Sequence, residues 1–127
     1  MKRSLSKRIG VVAVAVATAV LVPASPALAL EDIEIGGGPH DSGYMIYHDN
    51  GDTFQVCDIR ADGSGVNGKL LYKPIGGDWR VIKTKVDGGD AGCGKFKEDV
   101  NNFGDYQMKL YSLGINRLIA KSRVFNE

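Results

Sequence analysis

The chain has 127 residues, 43% of them hydrophobic, with 16 Lys/Arg against 15 Asp/Glu and a formal net charge of +1. Four of those cations, Lys2, Arg3, Lys7 and Arg8, fall in the first eight residues, so the rest of the chain holds 12 cations against 15 acids and is near −3. With the remaining charges interspersed, the basic stripe of a nucleic-acid reader is not visible, and no nucleic-acid partner is expected.

After the basic start comes an apolar run, Ile9 to Val22, broken only by Gly10 and Thr18, then Pro23, Pro26 and Ala27-Leu28-Ala29. A basic start, an apolar core and small residues before a cut make up a secretory signal. The segment 1–29 is therefore read as a signal peptide cleaved after Ala29. The run is too short for a spanning helix, which needs about 20 apolar residues. Cleavage leaves 98 of the 127 residues, enough for one domain. The expected location is extracellular, with no membrane contact after cleavage.

Residues 30–43 hold a short strand-like stretch, Asp32-Ile33-Glu34-Ile35, broken by Gly36-Gly37-Gly38-Pro39. This segment reads as a flexible N-terminal arm or an edge strand, with the domain proper spanning 44–127. Tyr44 to Asp49 and Asp52 to Cys57 flank Asn50-Gly51, the strongest short hairpin signal. A two-residue type I′ turn there sets Tyr47 opposite Phe54 and Met45 opposite Val56.

Residues 58–65 read as loop, Val66 to Lys73 as a strand stopped by Pro74, and Trp79 to Val86 as another strand. Residues 87–94 form a second glycine-rich loop. Lys95 to Phe103 is ambiguous between a short strand and a helical turn. Tyr106, Met108 and Leu110 alternate with Gln107 and Lys109, the period of a half-buried strand. Arg117 to Phe125 is the last strand. Six to eight strands at 8–12-residue spacing, with no 3.6-residue apolar period, predict an all-β fold. The expected architecture is a small antiparallel β-sandwich, or a partly open barrel, with one disulfide.

The two cysteines, Cys57 and Cys93, lie in an exported chain and so are expected to pair. The bridge would tie the second strand of the hairpin to the loop before the sixth strand or so. The run Gly89 to Phe96 approaches the phosphate-loop pattern, but Phe96 stands where the magnesium-holding hydroxyl belongs. Asp58/Asp62 and Asp87/Asp90 could supply oxygens to calcium, yet they lack EF-hand spacing and suit turns equally. His40 and His48 have no second ligand at metal spacing and read as solvated. No nucleophile–base pattern occurs, so no catalytic residue, metal or cofactor is expected. Trp79 has two readings: it opens a strand and fills the core, which is favoured, or it joins Arg80 as an interface anchor.

Thr53-Phe54-Gln55-Val56-Cys57-Asp58 followed by Ala61-Asp62-Gly63-Ser64-Gly65-Val66, with Gly92-Cys93-Gly94 later, resembles a set of uncharacterised small secreted actinobacterial proteins with a V-C-D…A-D-G-x-G-V pattern. The resemblance spans roughly residues 44–125 and implies a secreted single-disulfide β-domain, without an activity to transfer. Trp79-Arg80 is also similar to the Trp-Arg-Tyr segment of small secreted amylase inhibitors, which are β-sandwiches, although Val81 replaces the Tyr and their second disulfide is missing. The function expected from all this is a secreted, non-enzymatic interaction module, monomeric, whose partner is an extracellular protein or cell-wall polymer. An inhibitor or toxin aimed at an extracellular enzyme or a competing cell is the alternative.

Overall fold

A computed structural model describes residues 31–60, 63–88 and 92–127. The signal segment, Asp62, and residues 89–91 of the phosphate-loop-like run, Asp90 among them, lie outside the described residues. Eight strands follow one another: β1 (Ile33–Gly36), β2 (Gly43–His48), β3 (Thr53–Asp58), β4 (Val66–Pro74), β5 (Arg80–Asp87), β6 (Gly94–Lys97), β7 (Gly104–Ser112) and β8 (Arg117–Lys121). They form two four-stranded sheets, sheet A in the order β1-β2-β3-β6 and sheet B in the order β5-β4-β7-β8. Every pairing is antiparallel. The sheets pack face to face without closing, so the fold is the sandwich and not the barrel.

In sheet A the expected hairpin forms with the expected register, Tyr47 opposite Phe54 and Met45 opposite Val56. Its turn differs. The ladder stops at His48 and Thr53, Asp52 N–H reaches Asp49 O, and positive φ falls on Gly51 and Asp52 rather than on Asn50 and Gly51. A type I′ turn needs positive φ at both central residues; here the left-handed pair sits one residue later, which keeps the register while lengthening the loop. The segment Ile33–Gly36 is an edge strand, not a loose arm. It pairs with β2, and Ile33 and Ile35 are buried. Alternation drives this docking, because Ile33 and Ile35 fall on one face with Glu34 on the other.

In sheet B, β4 is central and pairs with β5 on one side and with all nine residues of β7 on the other. Tyr106, Met108 and Leu110 of β7 all point into the core, as their alternation predicts. The ambiguous stretch 95–103 is short strand β6 followed by coil, pinned by the fully buried Val100. Strand β5 is the long edge of the sheet. Its register slips at Leu70/Leu71, and Lys83 and Lys85 pair with core-facing Leu70 and Gly68. A bulge and lysines turned inward are devices that discourage edge-to-edge association.

The core is organised by rings. Phe96, Phe54, Tyr47, Phe125, Tyr106 and Tyr72 form one continuous row, with successive centroids 5.0, 4.7, 5.2, 6.0 and 4.9 Å apart. The row starts at the β6 edge of sheet A and crosses to β7 and β4 of sheet B through Phe125, which is fastened by reciprocal backbone hydrogen bonds to Tyr106. Offset and tilted ring pairs add to what area burial already contributes. Beside the row, sheet B comes close to sheet A at Gly68. A Cβ there would lie 2.4 Å from Val56 Cγ2 and 3.0 Å from Met45 Sδ, so only glycine fits.

The disulfide Cys57–Cys93 is present, joining β3 to the residue before β6 within sheet A. It lies on the outward-facing series of that sheet. Cys57 is nevertheless buried, and the Tyr44 hydroxyl lies 4.0 Å from Cys93 Sγ.

Candidate interaction face

The outward surface of sheet B is built from the alternate residues that the core does not use. The pairing registers align them into rows across the strands. Lys69 of β4 faces Lys109 of β7, and Lys109 faces Lys121 of β8; Thr84 of β5 completes that row. Directly opposed like charges destabilise a sheet. Among the described residues, neither of the two ion pairs, Asp32–His48 and Lys83–Glu98, relieves this row. Lys69 rests its ammonium over the Tyr111 ring, 4.8 Å from the centroid, a cation–π contact that holds one of the three charges in place.

Rows that mix apolar and amide side chains flank the lysines. On one side Val86 faces Asn67, Asn67 faces Tyr111 and Tyr111 faces Leu118. On the other, Val81 faces Leu71 and Leu71 faces Gln107. Val81, Val86 and Leu118 are each roughly half exposed, at 50%, 49% and 40%. Leu71 points outward yet is only 9% exposed, so neighbouring side chains of the face close over it.

The charges are not interspersed in space, contrary to the reading of the sequence. The four strands of sheet B contain eight Lys/Arg and two Asp. Residues 31–59, which build β1, β2 and β3, contain seven acids and no Lys or Arg. Antiparallel hairpins keep consecutive segments together, so a bias along the chain becomes a bias between sheets.

Trp79 is 39% exposed and stands outside the core, which corrects the core reading. The β4–β5 ladder ends at Tyr72 and Arg80, so Trp79 has no cross-strand partner to carry it inward. Its neighbour Arg80 goes elsewhere. Arg80 pairs with core-facing Tyr72 and places its guanidinium 5.6 Å from that ring, at the end of the aromatic row. The fold therefore separates the two residues read as a joint anchor. Trp79, two positions before Val81, is left available at the margin of the sheet B face.

The remaining candidates are engaged differently. Lys95 and Phe96 belong to strand β6, so no helix follows the glycine-rich loop to cradle a phosphate. Asp87 Oδ2 accepts the backbone N–H of Asp58 at 2.7 Å, while Asp62 and Asp90 lie outside the described residues. Among the described residues, no group of three His, Cys, Asp or Glu is placed to hold a metal. His40 is exposed, as read. His48 is not freely solvated: its ring lies 3.1 Å from Asp32 and 3.3 Å from Gln55. The Asp49 backbone N–H, and after it the His48 ring, hold Asp32 below the usual carboxylate range. Burial, reinforced by its hydrogen bond to Asp52, pushes the Tyr47 phenol well above the usual tyrosine value. A cleft of about 280 Å³ at one end of the sandwich is lined by Lys73, Pro74, Ile75, Asn102, Asp105 and Asn126, among others, and Asp105 there already accepts a hydrogen bond from Asn126.

The row of lysines was missed in the sequence. Its signal was the alternation of Lys109 with Met108 and Leu110, and of Lys69 with Leu70 and Gly68. What aligns Lys69 with Lys109 and Lys121 is the register of three strands, two of them forty residues apart. No helix among the described residues is long and apolar enough to cross a membrane. No family model, no curated protein and no solved structure matches the chain.

Proposed function

We propose that this chain is a secreted, non-enzymatic interaction module that engages an extracellular partner through the outer face of sheet B. The observation that carries the reading is the row Lys69, Lys109 and Lys121, which no ion pair among the described residues relieves, with the half-exposed Val81, Val86 and Leu118 in the rows beside it. Charge and apolar area together on a rigid sheet suit docking, and a like-charged row is a cost to the free molecule that an anionic partner would offset. Export is supported by the basic, apolar and Ala27-Leu28-Ala29 segments of the N-terminus and agrees with the disulfide.

The second reading, an inhibitor or toxin aimed at an extracellular enzyme or a competing cell, is favoured by the exposure of Trp79, since tryptophan is a frequent interface anchor. Both are tested by immobilising the purified, oxidised protein and capturing partners from secreted proteins and wall fragments, with Lys109→Glu and Trp79→Ala variants alongside. A partner retained by the native chain and lost with Lys109→Glu supports the module; if that partner is an enzyme and its binding also falls with Trp79→Ala, the inhibitor reading gains. Equal retention by native chain and Lys109→Glu, or substrate turnover at enzyme-like rates, contradicts the proposal.

A further inference from the structure

Where β7 turns into β8, at one end of sheet B, the side chains change character in steps toward the turn. Lys109 and Tyr111 point outward from β7, and exposed Leu113 follows the buried Ser112. On β8, across a register shift, Leu118 faces Tyr111 and Lys121 faces Lys109. The turn Leu113-Gly114-Ile115-Asn116 leaves Ile115 67% exposed. Turns favour Gly, Asn, Asp, Ser and Pro. Asn116 takes the left-handed conformation here, so the backbone does not call for isoleucine at 115. Two residues of strand advance about 6.6 Å, so lysine row, tyrosine row and apolar turn are successive layers. Cations lean toward the turn. The Lys69 ammonium lies over the Tyr111 ring, one row nearer the turn than its partner Lys109, and exposed Arg117 opens β8. The gradient belongs to this hairpin and Lys69; β4 adds the amide of Asn67 to the middle row, and β5 adds Thr84 and Val86 without a charge. Asp58 and Asp87, at the same end, accept the backbone N–H groups of Arg60 and Asp58.

We propose that this hairpin seats on an anionic lipid surface, with Leu113 and Ile115 in the acyl boundary, Tyr111 at headgroup level and Lys69, Lys109, Lys121 and Arg117 drawn to lipid phosphates. This rests on the reading of the sheet B face as the docking surface and names its partner. A bilayer presents the complementary order, hydrocarbon beneath an interface that favours tyrosine and a charged surface that attracts Lys and Arg. Lysine stems are long enough to carry their charge toward that surface. A purely anionic polymer would leave Leu113 and Ile115 in water, where their apolar area gains nothing. A protein partner anchors best where a side chain enters a packed pocket, whereas a protruding apolar turn enters a fluid layer without one. The contact is superficial and not a span. The expectation of no membrane contact rested on the lack of a spanning segment, and an interfacial turn needs none.

The test is co-sedimentation of the purified, oxidised protein with vesicles of equal parts phosphatidylglycerol and phosphatidylcholine. Binding is expected to be at least tenfold tighter than to phosphatidylcholine alone, and to fall tenfold or more with Ile115→Ser and with Lys109→Glu. Lys109→Gln is expected to give an intermediate loss and serves where the reversed charge disturbs folding. Trp79 lies at the opposite end of sheet B, beyond the Tyr72–Arg80 pair. Brominated lipid should therefore quench the emission of an Ile115→Trp, Trp79→Phe variant and leave that of the native chain unchanged. No sedimentation, equal binding to both vesicles, unchanged binding of Ile115→Ser, or quenching of Trp79 in the native chain would overturn the lipid partner. Retention on a purified anionic wall polymer or a captured protein instead of vesicles, lost with Lys109→Glu, would also overturn it while upholding the docking face, so the two failures are distinguishable.

Discussion

Cys57 and Cys93 occupy the rung directly after the last hydrogen-bonded pair of the β3–β6 ladder, Val56 with Gly94, and their Cα atoms are 4.5 Å apart. The bridge therefore holds the short strand β6 to sheet A instead of linking the two sheets. Strand β6 has only four residues, and one of them, Phe96, begins the aromatic row.

Reduction should consequently cost much of the stability. Cross-linking residues 36 apart removes about 4 kcal/mol of chain entropy from the unfolded state. In a domain of this size the melting temperature should fall by roughly 15–30 °C. Thermal melts by circular dichroism with and without reductant check this; an unmoved midpoint in fully reduced protein contradicts it.

Alkaline pH should also weaken the fold, through Tyr47. Its phenol is raised in the folded state, by burial first and by Asp52 next, while the unfolded chain titrates near 10. Stability from this group is complete below about pH 10 and declines above it, because only the unfolded chain then releases the proton. The slope is about 1.4 kcal/mol per pH unit for one group. Tyr106, raised chiefly by burial, adds in the same direction. Urea midpoints from pH 8 to 12 should fall above 10, and less steeply in Tyr47→Phe, whose unfolding free energy at neutral pH should be lower by about 1 kcal/mol for the lost hydrogen bond.

Gly68→Ala should destabilise the fold. Its Cβ meets Val56 and Met45 from the opposite sheet. Overpacking of this kind costs about 1–3 kcal/mol. A denaturant melt measures it, and a neutral or stabilising result would mean that the sheets separate more easily than the contact implies.

Trp79 fluorescence should be red-shifted and open to iodide or acrylamide quenching, since 39% of the residue is exposed. Blue-shifted, quencher-resistant emission would place it in the core after all.

Lys109→Glu should leave the fold intact and stabilise it by roughly 0.5 kcal/mol at low salt, by putting an acid between two opposed lysines. A melting temperature raised or unchanged meets this expectation; a fall of several degrees contradicts the reading that the row is a cost to the free molecule.

Much of the fold was legible because its determinants are local. Asn50-Gly51 fixed a register, and the alternation of Tyr106, Met108 and Leu110 marked the buried face of β7. The arm at 30–43 was harder, since four residues of β1 carry only two isoleucines and earn their place by pairing with β2. Trp79 misled because a large aromatic at a strand start is as consistent with a core as with a surface, and the end of the ladder one residue later decides between them. The binding face was illegible for a different reason. Lys69, Lys109 and Lys121 are each ordinary outward residues of a strand, and only long-range pairing makes them neighbours.

The most direct test of the docking face is lysine-reactive footprinting of the protein, free and bound to its captured partner, read by mass spectrometry. The account predicts that Lys69, Lys109 and Lys121 lose reactivity in the complex while Lys95 and Lys97 on sheet A keep theirs. Protection of Lys95 and Lys97 with the sheet B lysines unchanged would contradict it.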